Sequence, residues 1–269
     1  MQKRDVEVGS PNVGSLTGPS NAEQGQSMSS EVTKHTHELT RSTRQGGFLR
    51  VWMVVVAFAV VGTAVSVVLH FQRYGVLNIG QLLLALFLWI NVLVTFLEIS
   101  LYLQIKLIKE QYAKFLPAYR GREFDRLVEF VTAPIRWSDV PRPRRWAEGW
   151  ATYALFDDAY ANQKAFGFWV DTGNGFSTLI PSVVFICGLT YDFIPAQWLG
   201  IVGVALFWQK FYGTVIYFWA YVHNKQYAGH AKRDVVFVVL LNALWFLGPA
   251  WGLVVSISMI ASGGSELVR

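Results

Sequence analysis

The sequence predicts an all-α fold, a polytopic membrane protein built as a bundle of five transmembrane helices. Three observations point there. Of 269 residues, 53% are hydrophobic and only 15% are charged, a balance foreign to soluble domains. The apolar residues gather into runs at 51–70, 77–105, 172–191, 193–222 and 235–261, each at or above the roughly 20 residues that cross a ~30 Å hydrocarbon core. Only Glu98 and Lys210 place a charge inside them. Lipid offers no hydrogen-bond partners, so each run must satisfy its own backbone, which a helix does within one segment. Barrel strands would instead alternate apolar and polar residues in stretches of about ten.

Taken in chain order, residues 1–46 are rich in Ser, Gly, Thr, Gln and Asn and nearly free of large apolar side chains. Such a segment cannot offset the entropy of ordering and is expected to be a disordered tail. The five-helix membrane domain is expected at 47–262, with spans at about 51–70, 77–105, 168–191, 196–222 and 235–261, a loop at 106–165 and a short tail at 263–269. The first span follows a polar tail and is long enough to remain as an anchor, so no cleaved signal peptide is expected.

If the spans alternate, the tail, the 106–165 loop and the 223–234 loop share one side. That side carries six, eleven and three of the Lys and Arg residues, 20 of 23 in all. The positive-inside rule then makes it cytosolic, N-terminus included. The net charge of +5 thus calls for no nucleic acid and fits attraction to anionic lipid headgroups. The membrane would be that of the endoplasmic reticulum in a eukaryote and otherwise the plasma membrane.

Within the long loop, Val140 to Arg145 holds two prolines and three arginines and is expected to be an extended hinge. The loop as a whole is expected to lie on the membrane as a basic amphipathic cover. Beyond the hinge, Trp150, Tyr153, Asp157 and Tyr160 recur at intervals of three, four and three, which places them on one helix face. The plainer expectation is an aromatic belt that anchors the third span at the interface.

Polar groups inside spans are costly and mark candidate sites. Counting rise per residue from the basic end puts Glu98 at about 8–10 Å depth, Asp171 slightly shallower, Asn242 at about 10 Å, Thr214 at about 13 Å and Trp245 at about 15 Å. Four helices therefore contribute to one layer, as an enclosed polar pocket between helices would require. The competing expectation is interhelical hydrogen bonding alone. Lys210, at about 19 Å, is expected to pair with Glu98, Asp171 or a ligand carboxylate. Pro249 follows Asn242 and Trp245 on the fifth span and is expected to bend it.

No metal site is expected: His35, His37, His70, His223 and His230 are scattered, and Cys187 is the single cysteine. Motifs for phosphate cradling, a serine nucleophile or zinc hydrolysis do not occur. No cofactor is expected.

Three stretches resemble the emopamil-binding protein family, the sterol Δ8-Δ7 isomerases and relatives that share the EXPERA domain. They are Trp150 to Tyr160, with Asp171 eleven residues on where the family has a membrane glutamate; Tyr212-Gly213-Thr214 with Tyr217 and Phe218; and Asn242-Ala243-Leu244-Trp245 with Pro249. Glu98 matches the family's other membrane glutamate. The resemblance implies a hydrophobic cavity for a sterol or related small molecule and cofactor-free general acid–base chemistry that shifts a ring double bond through a carbocation. It implies catalytic roles for Glu98, Asp171 and Asn242, with Trp245, Thr214, Tyr217, Tyr212 and Lys210 contacting substrate. The chain departs from the family pattern at Val94, where the isomerases have a histidine, at Asp171, one methylene short, at Lys210, where a neutral polar residue is usual, and at Thr214, in place of an acid.

Three readings follow: an isomerase-like protein, a non-catalytic sterol- or lipid-binding member of that superfamily, and a small proton-coupled carrier. The carrier lacks the internal repeats such folds carry. The lipid bilayer is the expected surrounding, and a homodimer is a candidate assembly.

Overall fold

The computed structural model describes residues 49–269; the expected disordered tail lies outside them. Among the described residues every named element is helical. The five long apolar helices are α1 (Val51–Tyr74), α2 (Ile79–Leu103), α6 (Phe166–Tyr191), α7 (Ala196–His223) and α8 (Lys232–Ser262). Each is long and apolar enough to cross a bilayer, so the chain is a multi-pass, all-α membrane protein.

Local chemistry sets the joints. Gly75 adopts φ 73° and closes α1 by donating its N–H to Phe71 O, a left-handed cap that glycine takes without strain. Asn78 then caps α2, its side chain accepting from the Gln81 N–H at 3.1 Å. At the far end of the chain Gly263, φ 71°, ends α8 in the same way as Gly75 ends α1.

The 106–165 segment folds into three short helices, α3 (Ile105–Tyr119), α4 (Glu123–Thr132) and α5 (Pro143–Tyr153), with single turns at Trp137–Asp139 and Asp158–Ala161. They are amphipathic and dock on the bundle: Ile105 and Ile108 of α3 and Ala147 and Ala151 of α5 bury against Leu101 and Phe168. Arg126 of α4 bonds Glu148 of α5 and sits 4.2 Å from the centre of the Phe115 ring, which ties the three together.

Two local expectations are corrected. Residues 140–145 are not one extended hinge: Val140 is helical, Arg142 is extended, and Pro143 opens α5. Proline's fixed φ and missing N–H suit a first helical turn, so Pro143 starts a helix here. Nor do Trp150, Tyr153, Asp157 and Tyr160 share one helix. Asp157 is extended, with φ −147°, and its carboxylate accepts from the Ala159 N–H at 3.1 Å. That side-chain cap competes with helix continuation and turns the chain after Tyr153.

Two layers of packing bracket the interior. At the end away from the basic loops, Leu84, Leu88, Phe185, Leu199, Phe207 and Val255 form a tight core. At the basic end, Phe156, Tyr217, Tyr221 and Val238 pack with Phe124 beneath the short helices. The candidate site lies between them.

Candidate functional site

A cavity of about 390 Å³ opens between α1, α2, α6, α7 and α8 beneath α4 and α5. Its size falls within the range of small-molecule sites, about 300–1,000 Å³. The apolar wall includes Val51, Val55, Val94, Leu97, Val170 and Leu241. Glu98, Asp171, Asn174, Thr214, Asn242 and Trp245 supply polar or aromatic surface, together with Tyr153, Tyr160 and Tyr217.

Six of the eight residues singled out from sequence line this one cavity: Glu98, Asp171, Asn242, Trp245, Thr214 and Tyr217. Lys210 does not line it. Its Nζ donates to both Glu98 carboxylate oxygens, at 3.2 and 3.1 Å, with both side chains buried. The residue-count depths set these partners about 10 Å apart. They meet because lysine's four-carbon stem reaches along the helix and because α2 runs on past the end of the apolar layer into α3. Tyr212 points away: it is 53% exposed and stacks on Trp208, ring centres 5.9 Å apart. Lys210, Thr214 and Tyr217 follow helical spacing on one face of α7, and Tyr212 falls on the other.

The ion pair sits at a close helix crossing. A Cβ built on Gly175 of α6 would lie 2.8 Å from Glu98 Cβ and 2.9 Å from the Ile99 backbone nitrogen. Without a hydrophobic drive between helices in lipid, such small-residue contacts set how closely backbones approach. Asn174, next in sequence, faces the cavity, and its Oδ1 accepts from Gln209 at 3.1 Å.

At the basic end the polar groups form two hydrogen-bonded pairs. Tyr217 donates to Asp157 Oδ2 at 2.7 Å. Asn242 Nδ2 donates to Tyr153 Oη at 3.3 Å and to Val238 O at 2.8 Å. Tyr160 is in reach of Asp171, stacks on Trp150 and lies tilted against Tyr153, ring centres 5.2 and 4.9 Å away. Burial raises the Asp157 carboxyl above its ordinary range and pushes the Tyr153 and Tyr160 phenols well up, so both tyrosines stay protonated. Trp150 Nε1 donates to Leu97 O at 2.7 Å, pinning α5 to α2. The aromatic segment is therefore a cavity wall, not a lipid-facing belt.

Several wall residues escaped sequence reasoning. Asn174 was within reach of it, three positions after Asp171 on the same face. Trp52, Phe130, Trp146 and Gly149 were not, since only tertiary packing brings α1, α4 and α5 to the cavity. Among the described residues no His, Cys, Asp and Glu side chains group as a metal site would need. Comparison with protein-family models, with curated proteins and with solved structures gives no match.

Proposed function

We propose that the protein binds a sterol or a sterol-like apolar molecule inside the membrane, as a member of the emopamil-binding protein superfamily, with its N-terminus and basic loops cytosolic. The observation that carries the reading is the cavity itself: about 390 Å³ within a five-helix membrane bundle, apolar over most of its wall. Its polar groups cluster around Asp171, Asn242 and the three tyrosines. A rigid, mostly apolar ligand with one polar end fits such a wall. The Trp150–Tyr160 and Asn242–Trp245 motifs support the same assignment. The excess of basic residues on one side supports the orientation.

Binding without turnover fits the charge arrangement better than isomerisation. Glu98 is neutralised by Lys210 at 3.1 Å, and Val94 leaves no proton donor one turn away on α2. A carbocation would face an internal ion pair, whose field falls off faster than that of a lone carboxylate. The second reading, sterol Δ8-Δ7 isomerisation, draws on Asp171 with the Tyr160 hydroxyl in reach and on the indole of Trp245 in the same cavity.

One experiment separates the two. The purified protein is incubated with a Δ8 sterol in deuterated water, and bound and free sterols are analysed by mass spectrometry. Saturable binding with the sterol recovered unchanged is the expected result. A Δ7 product carrying one deuterium establishes the isomerase, and absence of saturable binding overturns the site.

A further inference from the structure

Glycine contacts close the bundle around most of its circumference. Gly62 of α1 lies against the Trp89 ring of α2, Gly175 of α6 against Glu98 and Ile99 of α2, Gly188 of α6 against Leu199 of α7, and Gly252 of α8 against Phe207 of α7. A Cβ on any of the four would come within 3.0 Å of the facing helix. Where no hydrophobic drive acts between helices, such small-residue seams fix how closely they approach.

One pair of cavity-forming helices has no such seam. α1 packs on α2, α6 and α4, and α8 packs on α7 and α2. Val51, Trp52, Val55 and Val56 of α1 nevertheless line the same cavity as Leu241, Asn242 and Trp245 of α8. Exposure shows where that cavity meets its surroundings. Of its wall residues three are exposed, Trp52 at 45%, Val56 at 49% and Leu241 at 44%, and all three belong to α1 and α8. Trp52 and Val56 lie in the first two turns of α1 and Leu241 in the third turn of α8, so the exposed rim sits at the basic end of the spans.

The cover over the cavity is tied down instead. Trp150 bonds Leu97 O at 2.7 Å. Val51 N–H bonds Ala133 O and Ile135 N–H bonds Leu49 O, both at 3.1 Å, which joins the start of α1 to the segment after α4. Phe130 and Trp146, the wall residues of α4 and α5, are buried. The far end is filled by the core of Leu88, Phe185 and Phe207.

We infer that the gap between α1 and α8, framed by Trp52, Val56 and Leu241, is a lateral portal through which an apolar ligand passes between the cavity and the lipid leaflet at the basic end. The inference rests on the reading of the cavity as an apolar ligand site and deepens it by assigning the route of entry. An apolar body that slides past these side chains stays out of water throughout, whereas a route through the cover would expose it and break backbone pairing. Exposed side chains also change rotamer within nanoseconds, so the rim parts without separating packed helices. Trp245 stands one turn beyond Leu241 on the same face of α8, which makes the indole an early contact of an entering ligand.

The test places a thiol inside the cavity and asks from which phase it is reached, so it needs no sterol. Val94→Cys in a Cys187→Ala chain puts a single cysteine on the cavity wall. The full chain in nanodiscs is treated with pyrene maleimide, which partitions into lipid, or with a sulfonated maleimide, which stays in water. The lipid-borne reagent is expected to label at least about tenfold faster, a difference of about 1.4 kcal/mol in barrier. Leu241→Trp narrows the portal and is expected to slow that reagent by about tenfold, with the water-borne rate unchanged. Ile180→Trp, on the exposed face of α6 and outside the cavity wall, changes neither rate. Faster labelling from water overturns the portal, as does equal lipid-borne labelling of Leu241→Trp and its parent. A thiol that neither reagent reaches, yet that reacts after denaturation, also overturns it. With dehydroergosterol, a fluorescent sterol, Leu241→Trp is expected to slow dissociation as well as association, the mark of a barrier; a lost wall contact would speed dissociation instead. Absence of dehydroergosterol binding beside lipid-borne labelling of Val94→Cys removes the sterol and leaves the portal standing.

Discussion

Lys210→Met tests the interior most directly. The substitution keeps the stem's volume and removes the ammonium that lies 3.1 and 3.2 Å from the two Glu98 oxygens, with the paired side chains 0% and 3% exposed. At 3.1 Å the pair's attraction is about 5 kcal/mol at an effective dielectric of about 20. Removing one member of a buried pair costs about 3–5 kcal/mol, because the other charge is left without compensation. The stranded glutamate can escape by taking a proton. From an ordinary glutamate pKa this costs about 3.7 kcal/mol at pH 7 and falls by about 1.4 kcal/mol per pH unit on acidification. The expected loss at pH 7 is therefore about 3–4 kcal/mol, or roughly 6–16 °C in the melting temperature of a domain of this size. The deficit shrinks toward pH 5. The double variant Lys210→Met with Glu98→Gln removes both charges and is expected to recover most of the loss, since neutral replacement of a buried pair is often tolerated. Melting in detergent across pH 5–8 for the four corners of the cycle measures this. If Lys210→Met melts within about 2 °C of the parent, or the double variant melts as low as the single, the pair is not the isolated buried unit described here.

Three further outcomes follow from single contacts. Gly175→Ala drives a methyl into Glu98 Cβ and the Ile99 nitrogen, 2.8 and 2.9 Å away, and is expected to cost about 1–3 kcal/mol; Gly173→Ala meets nothing within 4 Å and serves as the neutral control in the same melts. Trp150→Phe removes the 2.7 Å bond to Leu97 O and is expected to cost about 1 kcal/mol, read as a lower melting temperature together with faster proteolysis between α5 and α6. Asp157→Asn is expected to stabilise the protein at neutral pH: burial raises the Asp157 carboxyl, so its contribution is full below the unfolded value and is lost as pH rises through the folded one. The advantage of Asp157→Asn should therefore vanish at about pH 4 and below, where both side chains are neutral, and an equal gain at every pH would contradict the cause given.

The spans were legible because lipid leaves a helix no alternative, and runs such as 77–105 advertise themselves by composition alone. The convergence of Glu98, Asp171, Asn242, Thr214 and Trp245 was legible too, since rise per residue turns sequence position into depth. The pairing of Lys210 with Glu98 was among those expected, and it spans the difference in residue-count depth because a lysine acts several ångströms from its own Cα. What misled was helical phase. Tyr212 lay in a stretch that resembled a family motif, yet its phase on α7 sends it outward to Trp208. The four-residue aromatic pattern was real, but its helical reading failed at Asp157, whose carboxylate takes a backbone N–H that a continuing helix would have used otherwise. The contributions of Trp52, Phe130 and Trp146 had no local signal, for α1, α4 and α5 reach the cavity only by long-range packing.

The arrangement has a further logic in how its charges are divided. Three carboxylates surround the basic half of the interior, and each is answered by a different kind of partner. Glu98 has a full cation, Asp157 has a phenol and a backbone N–H, and Asp171 has the Tyr160 hydroxyl in reach together with the open cavity. The first is a closed unit whose groups satisfy one another, so Glu98 contributes little net field to a ligand. The second is closed as well, since Tyr217 donates to one Asp157 oxygen and the Ala159 N–H to the other. Glu98 and Asp171 both line the cavity, and of the two Asp171 is the one without an ion pair among the described residues. A pocket with one carboxylate left without an ion pair offers an acceptor to whatever it holds. Such a wall, apolar with a few polar groups gathered toward one end, has the general form of a small-molecule site.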